Sequence, residues 1–193
     1  MMSLSSKQGI TKPRRFKLNN DQALLSAKAL HREMASALAL GNKESLSQIC
    51  VKSLSIPMLA TIDARQRSRR YSWELVRYLG WRNPRIVSQV LSPIAPTKGS
   101  PLVRQVVVRI RSRQRRTLYE RSAKGPWEVK PDGQQEVDLT EYIVMVSIIS
   151  PKTWTQGEWR ILGSVQPTSF EEWQFEKEAL ASVEKSELEK YKL

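Results

Sequence analysis

The chain has 193 residues, 40% of them hydrophobic, and its 32 lysines and arginines outnumber its 19 aspartates and glutamates to give a net charge of +13. This length and apolar content predict one domain with tails, and the positive charge favours a polyanionic partner such as RNA or an anionic membrane surface. A single cysteine and a single histidine exclude an intramolecular disulfide and a zinc site with four Cys and His ligands.

The first twenty residues contain no acidic side chain, and Lys12, Arg14 and Arg15 lie among them. They form either a basic flexible tail or the remnant of an organellar targeting segment, and both interpretations stay open. Asn20 and Asp21 can cap a helix, and apolar residues recur at helical spacing up to Gly41, so we predict a helix over 21–40.

A second, shorter helix is predicted over 43–53, and a third is predicted to start at Pro57, because proline favours the first position of a helix. The third helix runs towards a basic cluster, whose members are Arg65, Arg67, Arg69 and Arg70. The pattern of residues 71–79 is compatible with either a strand or a helix.

Four strands are predicted after this point, over 85–94, 102–121, 139–149 and 158–165, from their β-branched residues and alternating pattern. A loop containing Pro131 and Gly133 is expected before the third of these strands. The third strand is apolar on both faces, as in a strand covered on both sides, and the fourth returns beside it with Trp159, Ile161 and Val165 on one face. Ser169 and Glu172 form a capping box that opens a final helix over 168–193.

The predicted fold class is α+β, with an antiparallel sheet of about four strands packed on amino-terminal helices. The strand at 102–121 is the most informative element. Side chains alternate across a strand, so Val106, Val108 and Ile110 should share one face. The opposite face should carry a ladder of arginines, namely Arg109, Arg111, Arg113 and Arg115. The guanidinium group suits phosphate, although a solvated edge strand kept charged against aggregation would look partly similar.

The basic clusters are flanked by Trp73, Trp81, Trp127 and Trp154, which could stack on unpaired bases or lie at a lipid interface. This combination favours nucleic acid, although each cluster taken alone could be a solvated surface. Among the tryptophans, Trp73, Trp159 and Trp173 are expected in the core. Trp127 and Trp154, in predicted loops, are the better candidates to stack on unpaired bases or to lie at a lipid interface.

Catalysis is not predicted. An enzyme of this architecture would need an acid and base pair between sheet and helices. His31 lies on the first helix and could act as a base only with a partner from elsewhere in the fold. Cys50 has no second histidine to activate it, and neither a phosphate-binding loop nor a metal-ligand spacing is present.

Two blocks of sequence resemble a known family. The run from Val108 to Gln114, continued by Leu118 to Arg121, is similar to the central strand of a mitochondrial large-ribosomal-subunit protein. That protein shares its domain with the matrix-side subunit of the protein-import motor and with the fungal inner-membrane ribosome receptor. The segment from Glu141 through Ser150 and Pro151 to Trp159-Arg160-Ile161 resembles the closing hairpin of the same family, and the similarity covers residues 21–167.

The resemblance implies a cone-shaped fold of the nuclear-transport-factor-two or cystatin-like type, with a curved sheet around the helices. It also implies a non-catalytic protein in the mitochondrial matrix at the inner membrane, near the exit of the ribosomal tunnel. Its expected partners are ribosomal RNA and neighbouring ribosomal proteins, and a peripheral contact with the anionic inner membrane or an insertase is the further expectation. No cofactor and no small-molecule substrate are expected. A peripheral inner-membrane adaptor of the import or insertion machinery is the alternative.

The resemblance also bears on the arginines. Arg109, Arg113, Arg121 and Arg160 match the pattern of the family, whereas Arg111, Arg115 and Arg116 are additional charges. The predicted RNA-binding residues are Arg109, Arg111, Arg113, Arg115, Arg116, Arg121, Arg65, Arg67, Arg69, Arg70, Lys12, Arg14 and Arg15.

Overall fold

A computed structural model describes residues 18–97, 99–121 and 125–166. The helices of this part of the chain are α1 (Asn20–Leu40), α2 (Lys43–Ile49) and α3 (Lys52–Asp63), and its strands are β1 (Arg69–Tyr78), β2 (Arg85–Pro93), β3 (Leu102–Arg121), β4 (Trp127–Ile149) and β5 (Arg160–Val165). The basic residues Lys12, Arg14 and Arg15, the capping box at Ser169 and Glu172, Trp173 and the predicted helix over 168–193 lie outside the described residues.

Helix α1 has local signals at both ends. The Asn19 side chain accepts a hydrogen bond of 3.0 Å from the backbone N–H of Gln22, which satisfies one of the free donors of the first turn. At the other end Gly41 adopts a left-handed conformation with φ 75°, and its N–H bonds back to the last turn. The predicted helix therefore matches the observed one to within one residue.

Helices α2 and α3 differ from their predicted bounds. Helix α2 ends at Ile49 because Cys50 and Val51 become extended and meet β5, where the Val51 N–H donates to the Ile161 carbonyl at 2.9 Å. Helix α3 starts at Lys52 and contains Pro57, so the prediction that it begins at Pro57 was wrong. Pro57 has no backbone N–H, so the carbonyl of Ser53, four residues earlier, lacks its helical hydrogen bond. Ser53 is exposed, and water can donate to this carbonyl instead.

The strands form one five-stranded antiparallel sheet in the order β1-β3-β4-β5, with β2 also paired to β3. Strand β4 pairs with β3 along nearly its whole length, so β1 and β2 follow one another along the opposite edge of β3. The ambiguous segment at 71–79 is therefore a strand. The molecule has an α+β fold, as predicted, with one strand more than expected.

Strand β4 includes a segment that was predicted to be a loop. It begins at Trp127, and a bulge opposite Leu118 accommodates the residues from Lys130 to Gly133. A Cβ at Gly133 would lie 2.8 Å from the Lys130 carbonyl oxygen and 2.9 Å from that of Leu118. The turn-forming residues thus interrupt the pairing without ending the strand, as is typical of a bulge.

The end of the sheet holds two further corrections. The pairing of β4 with β5 shifts register at Leu162, so Val165 leaves the face of Ile161 and is 47% exposed, contrary to the prediction. Ile148 on β4 is 56% exposed, so this strand is not covered on both sides along its whole length, although it has neighbouring strands on both edges.

Two hydrophobic clusters join the helices to one face of the sheet. In the first, Ala23 and Ala27 of α1 pack against Val106, Val108 and Ile110 of β3, together with Ile143, Met145 and Trp159. The second cluster joins the carboxyl-terminal part of α1 to α2 and β5, and it consists of Ala37, Leu46, Ile49, Cys50 and Ile161. We call the face covered by the helices the inner face and the opposite one the outer face.

Candidate nucleic-acid interface

Strand β3 separates its apolar and basic side chains between the two faces of the sheet. Val106, Val108 and Ile110 are fully buried on the inner face. The outer face carries Arg109, Arg111, Arg113 and Arg115, of which Arg111 is exposed and the others are half-buried. The predicted alternation of β3 is confirmed.

Carboxylates on the neighbouring strands compensate one end of this ladder. Arg115 pairs with Glu136 of β4 and with Glu74 of β1, at 2.5 Å and 2.9 Å. Arg113 makes a forked contact with Asp138 at 2.6 Å and 2.9 Å. Hydrogen bonding to Arg113 holds the pKa of Asp138 below its usual value. These pairs are partly exposed to solvent, so their main effect is to reduce the positive charge available to a ligand.

The other end of the ladder gains arginines from both edge strands. Arg77 of β1 lies opposite Arg113, and Arg85 of β2 lies opposite Arg109. Directly opposed residues share a face of the sheet. We call the resulting group the basic patch, and its members are Arg77, Arg85, Arg109, Arg111 and Arg113.

The basic patch has a marked excess of charge. Its five arginines are opposed on the paired strands by one carboxylate, that of Asp138, which leaves an excess of four positive charges. Asp138 also interacts electrostatically with Arg77 and Arg111. Within the described residues, no ion pair is formed by Arg77, Arg85, Arg109 or Arg111. Arg77 and Arg85 are not among the site residues predicted from the sequence, because only the register shows which strand positions they oppose.

Apart from Arg115, the other predicted site residues within the described ranges lie away from the basic patch. Arg69 pairs with Glu120 at 2.9 Å, and the Arg121 Nε donates to the Gly125 carbonyl at 2.8 Å. Arg70 covers the ring of Trp127, with 4.2 Å between the guanidinium carbon and the ring centroid.

Three more predicted arginines are also separate from the patch. Arg65 donates to the Ala39 carbonyl at the end of α1, at 2.9 Å. Arg67 is exposed in the turn before β1, and Arg116 lies on the inner face opposite Trp73. Of the predicted residues that the structure describes, Arg109, Arg111, Arg113 and Arg115 are therefore the ones that lie together.

The connection between β1 and β2 carries an aromatic ring beside the patch. Residues 79–84 close onto the backbone of Arg111: Leu79 N–H donates to its carbonyl at 2.9 Å, and the Asn83 side chain bonds to both its N–H and its carbonyl. Trp81 in this connection is 87% exposed, and the Arg82 guanidinium carbon lies 4.2 Å from the centre of its ring.

The other tryptophans in the described part of the chain are more enclosed. Trp159 is buried in the core, as predicted. Trp73 is half-buried, and its Nε1 donates to Gln114 at 2.7 Å. Trp127 lies in a strand and Trp154 in a turn, and both are half-buried. Trp81 is therefore a better candidate for a contact than the two tryptophans that the sequence favoured.

Arg104 also differs from the other arginines of β3. It is fully buried on the inner face, where its guanidinium donates to Gln89, Gln156 and Asn20 at 2.8 to 3.0 Å. It also lies over the ring of Trp159 at 5.2 Å. Burial lowers the pKa of Arg104, and its role is structural.

A polar network lies within the inner face. The buried His31 Nε2 is 2.8 Å from the Glu141 carboxylate, which also accepts from Gln114 Nε2 at 2.5 Å. Burial alone would raise the pKa of Glu141, but these hydrogen bonds, the charge of His31 and that of Arg116 together hold it below its usual value.

This pair supplies the partner for His31 that the sequence could not identify. His31 and Glu141 are 110 positions apart, so no spacing signal connects them. A cleft of about 600 Å³ between α1 and β1 is lined by Arg32, Glu33, Trp73 and other residues, but neither member of the pair lines it.

Cys50 is buried, which raises the pKa of its thiol to about 11 and makes it a poor nucleophile at neutral pH.

No family model and no curated protein sequence matches this chain. In the described ranges, no helix is long and apolar enough to cross a membrane. The same residues contain no group of three or more His, Cys, Asp or Glu side chains that could hold a metal ion.

Proposed function

We propose that this protein binds RNA through the basic patch, as a non-catalytic component of the mitochondrial large ribosomal subunit near the tunnel exit. The observation that carries the RNA part is the excess of unpaired arginines on one face of the sheet. Arginine binds phosphate through parallel N–H groups, and arginines held on adjacent strands present these groups at fixed positions.

The ribosomal part of the proposal rests on the resemblance of the β3 and β4–β5 segments to the mitochondrial family. In this proposal, residues 21–167 form the cone-shaped domain of that family, 1–20 a basic tail and 168–193 a carboxyl-terminal helix. The protein lies in the matrix at the inner membrane, with ribosomal RNA and neighbouring ribosomal proteins as partners. It helps to place the ribosome where nascent proteins are inserted, and it needs no cofactor.

The alternative proposal is a peripheral adaptor of the inner-membrane import or insertion machinery. It draws on the same positive charge, because anionic headgroups attract arginine as phosphodiesters do. A sucrose-gradient profile of mitochondrial lysate at low and high salt, with a membrane-flotation step, separates the two proposals. Migration with the large ribosomal subunit at high salt supports the ribosomal function, whereas protein that is released by salt or floats with membranes supports the adaptor.

A second experiment tests the basic patch itself. The variant Arg85→Gln/Arg111→Gln removes two exposed charges of the patch, and the control Arg32→Gln/Lys52→Gln removes two exposed charges from the helices. Each lost phosphate contact should reduce the slope of log affinity against log salt concentration by about one unit. The patch variant should show this reduction, and equal slopes for the two variants would exclude the patch as the RNA contact.

A further inference from the structure

We infer that Trp81 is a stacking platform for an unpaired RNA base, placed so that the phosphates beside that base meet the basic patch. The inference rests on the proposed RNA binding and adds to it the kind of RNA recognised. It assigns a contact residue that neither the charge pattern nor the register of β3 identifies.

The first observation is the exposure of the ring. Isolated apolar side chains are common on protein surfaces, but Trp81 is a large aromatic residue that is 87% exposed. Arg82 covers one side of the ring at 4.2 Å. This cation–π contact leaves the opposite side of the ring open to solvent, where a base can stack.

The second observation is the anchoring of the connection. Both side-chain groups of Asn83 bond to the backbone of Arg111, and the N–H of Leu79 bonds there as well. Gly80 takes a positive φ of 85° in this tight connection, a conformation that favours glycine. An aromatic ring on an anchored connection loses less conformational freedom on binding than one on a loose loop.

The third observation is the position of the anchor. Arg111 is the middle one of the three β3 arginines in the basic patch, and the connection joins the strands that carry Arg77 and Arg85. The strand positions of Arg77 and Arg85 therefore lie on either side of the point where the connection is anchored, so a strand of nucleic acid that stacks one base on Trp81 can extend towards them. Stacking combined with phosphate contacts is the general mode of single-strand recognition.

A lipid interface is a different occupant for an exposed tryptophan, since indole rings also favour the headgroup region. The stacked Arg82 and the positive edge strands favour a planar, polyanionic ligand, and RNA has both properties in one molecule. We therefore commit to an unpaired base and treat membrane binding as an outcome of the test.

The test measures the affinity of the full chain for single-stranded oligoadenylate and for duplex RNA over a range of salt concentrations. Trp81→Ala should weaken single-strand binding by about 5- to 100-fold at every salt concentration, with an unchanged salt slope. Trp81→Phe should recover much of the affinity, because phenylalanine keeps an aromatic face. Trp127→Ala, whose ring lies under Arg70, is the matched control and should bind like wild type.

Abasic RNA of the same length gives an independent readout. It should bind wild type and Trp81→Ala equally, because the lost contact is to the base and not to phosphate. Since the Trp81 side chain is exposed, thermal unfolding of Trp81→Ala should match wild type, which shows that the fold is intact.

Two results would overturn the inference. One is that Trp81→Ala and wild type have the same affinity for oligoadenylate, while the RNA binding of wild type depends on salt. In that case the proposed function stands, but Trp81 is not a stacking platform. The other is that Trp81→Ala loses binding to vesicles of phosphatidylcholine and cardiolipin but keeps its affinity for RNA. If wild type binds none of the RNAs, the proposed function itself fails.

Discussion

His31 and Glu141 show how a single pair of residues links two distant parts of the chain. His31 belongs to α1 and Glu141 to β4, and their contact fastens the helix to the inner face of the sheet. Because the folded pKa of Glu141 is below its usual value, the folded state favours the ionised carboxylate. The pair therefore contributes to stability in a pH-dependent way.

This dependence has a definite sign. The contribution of Glu141 is fully present above its unfolded pKa, about 4.5, and it is lost as the pH falls through the lower folded pKa. Urea unfolding of wild type and Glu141→Gln between neutral pH and pH ~3 compares the two pH profiles over the range in which glutamate titrates. Wild type should lose more of its free energy of unfolding across this range than Glu141→Gln, and parallel curves would contradict the prediction.

A second prediction concerns the buried Arg104 and its contribution to the stability of the fold. Arg104→Met keeps an apolar stem of similar length but leaves the acceptors on Gln89, Gln156 and Asn20 without their donor. We expect the free energy of unfolding to fall by about 3 kcal/mol, because the charged hydrogen bonds are lost and partly buried acceptors are left without a donor. Chemical unfolding measures the difference. Arg32→Met, at an exposed helix position, is the control and should change stability by less than about 0.5 kcal/mol; an equal effect of the two substitutions would show that Arg104 is not a structural anchor.

At the scale of elements, the bulge in β4 explains how a strand contains Pro131 and Gly133. The pairing of β3 with β4 stops at the bulge and resumes beyond it, from Tyr119 opposite Val129 to Arg121 opposite Trp127. On its other edge, β4 pairs with β5 only between Tyr142 and Val146. The proline therefore removes no hydrogen bond to a strand on that edge.

Gly133→Ala tests the bulge. A Cβ there would lie under 3 Å from two backbone carbonyls, which cannot move as a flexible side chain can, so we expect a loss of about 1–3 kcal/mol in the free energy of unfolding. Gly163→Ala in β5 is the matched control, because a Cβ there meets nothing within 4 Å. Equal stability of the two variants would show that the bulge tolerates a side chain.

At the scale of the whole molecule, the chain has a net charge of +13, and the basic patch places an excess of four positive charges on the outer face of the sheet, while the helices cover the inner face. Charge of one sign on a compact surface is self-repelling, and a bound polyanion relieves that repulsion. A ligand that binds only the folded state also raises its stability by mass action. RNA should therefore stabilise the protein more at low salt than at high salt.

Thermal unfolding with and without single-stranded RNA checks this expectation. The Tm of wild type should rise on addition of RNA at low ionic strength, and the rise should vanish at high ionic strength as counterions compete. Arg85→Gln/Arg111→Gln should show a smaller rise than Arg32→Gln/Lys52→Gln. A rise in Tm that salt does not change would point to a contact other than the basic patch.

The sequence determined by itself the features that depend on neighbours along the chain. The end of α1 at Gly41, the alternation of valines and arginines in β3 and the positive net charge follow from local periodicity and composition. The N-cap of α1 is Asn19, whereas Asn20 and Asp21 were predicted as the capping residues. The predicted bounds of α1 and β3 lie within one residue of those in the structure. Predictions failed where the chain departs from regular periodicity, at the bulges near Gly133 and Leu162 and at the start of α3 before Pro57.

Only the tertiary structure decided which of these charges are available to a ligand. Register places Asp138 against Arg113, 25 positions away, and brings Arg77 and Arg85 to the same face. It also anchors the connection of Trp81 at Arg111 and gives His31 its partner. The physical reason is that strand pairing and helix docking join residues far apart in the chain, whereas sequence periodicity describes only the conformation of each segment alone.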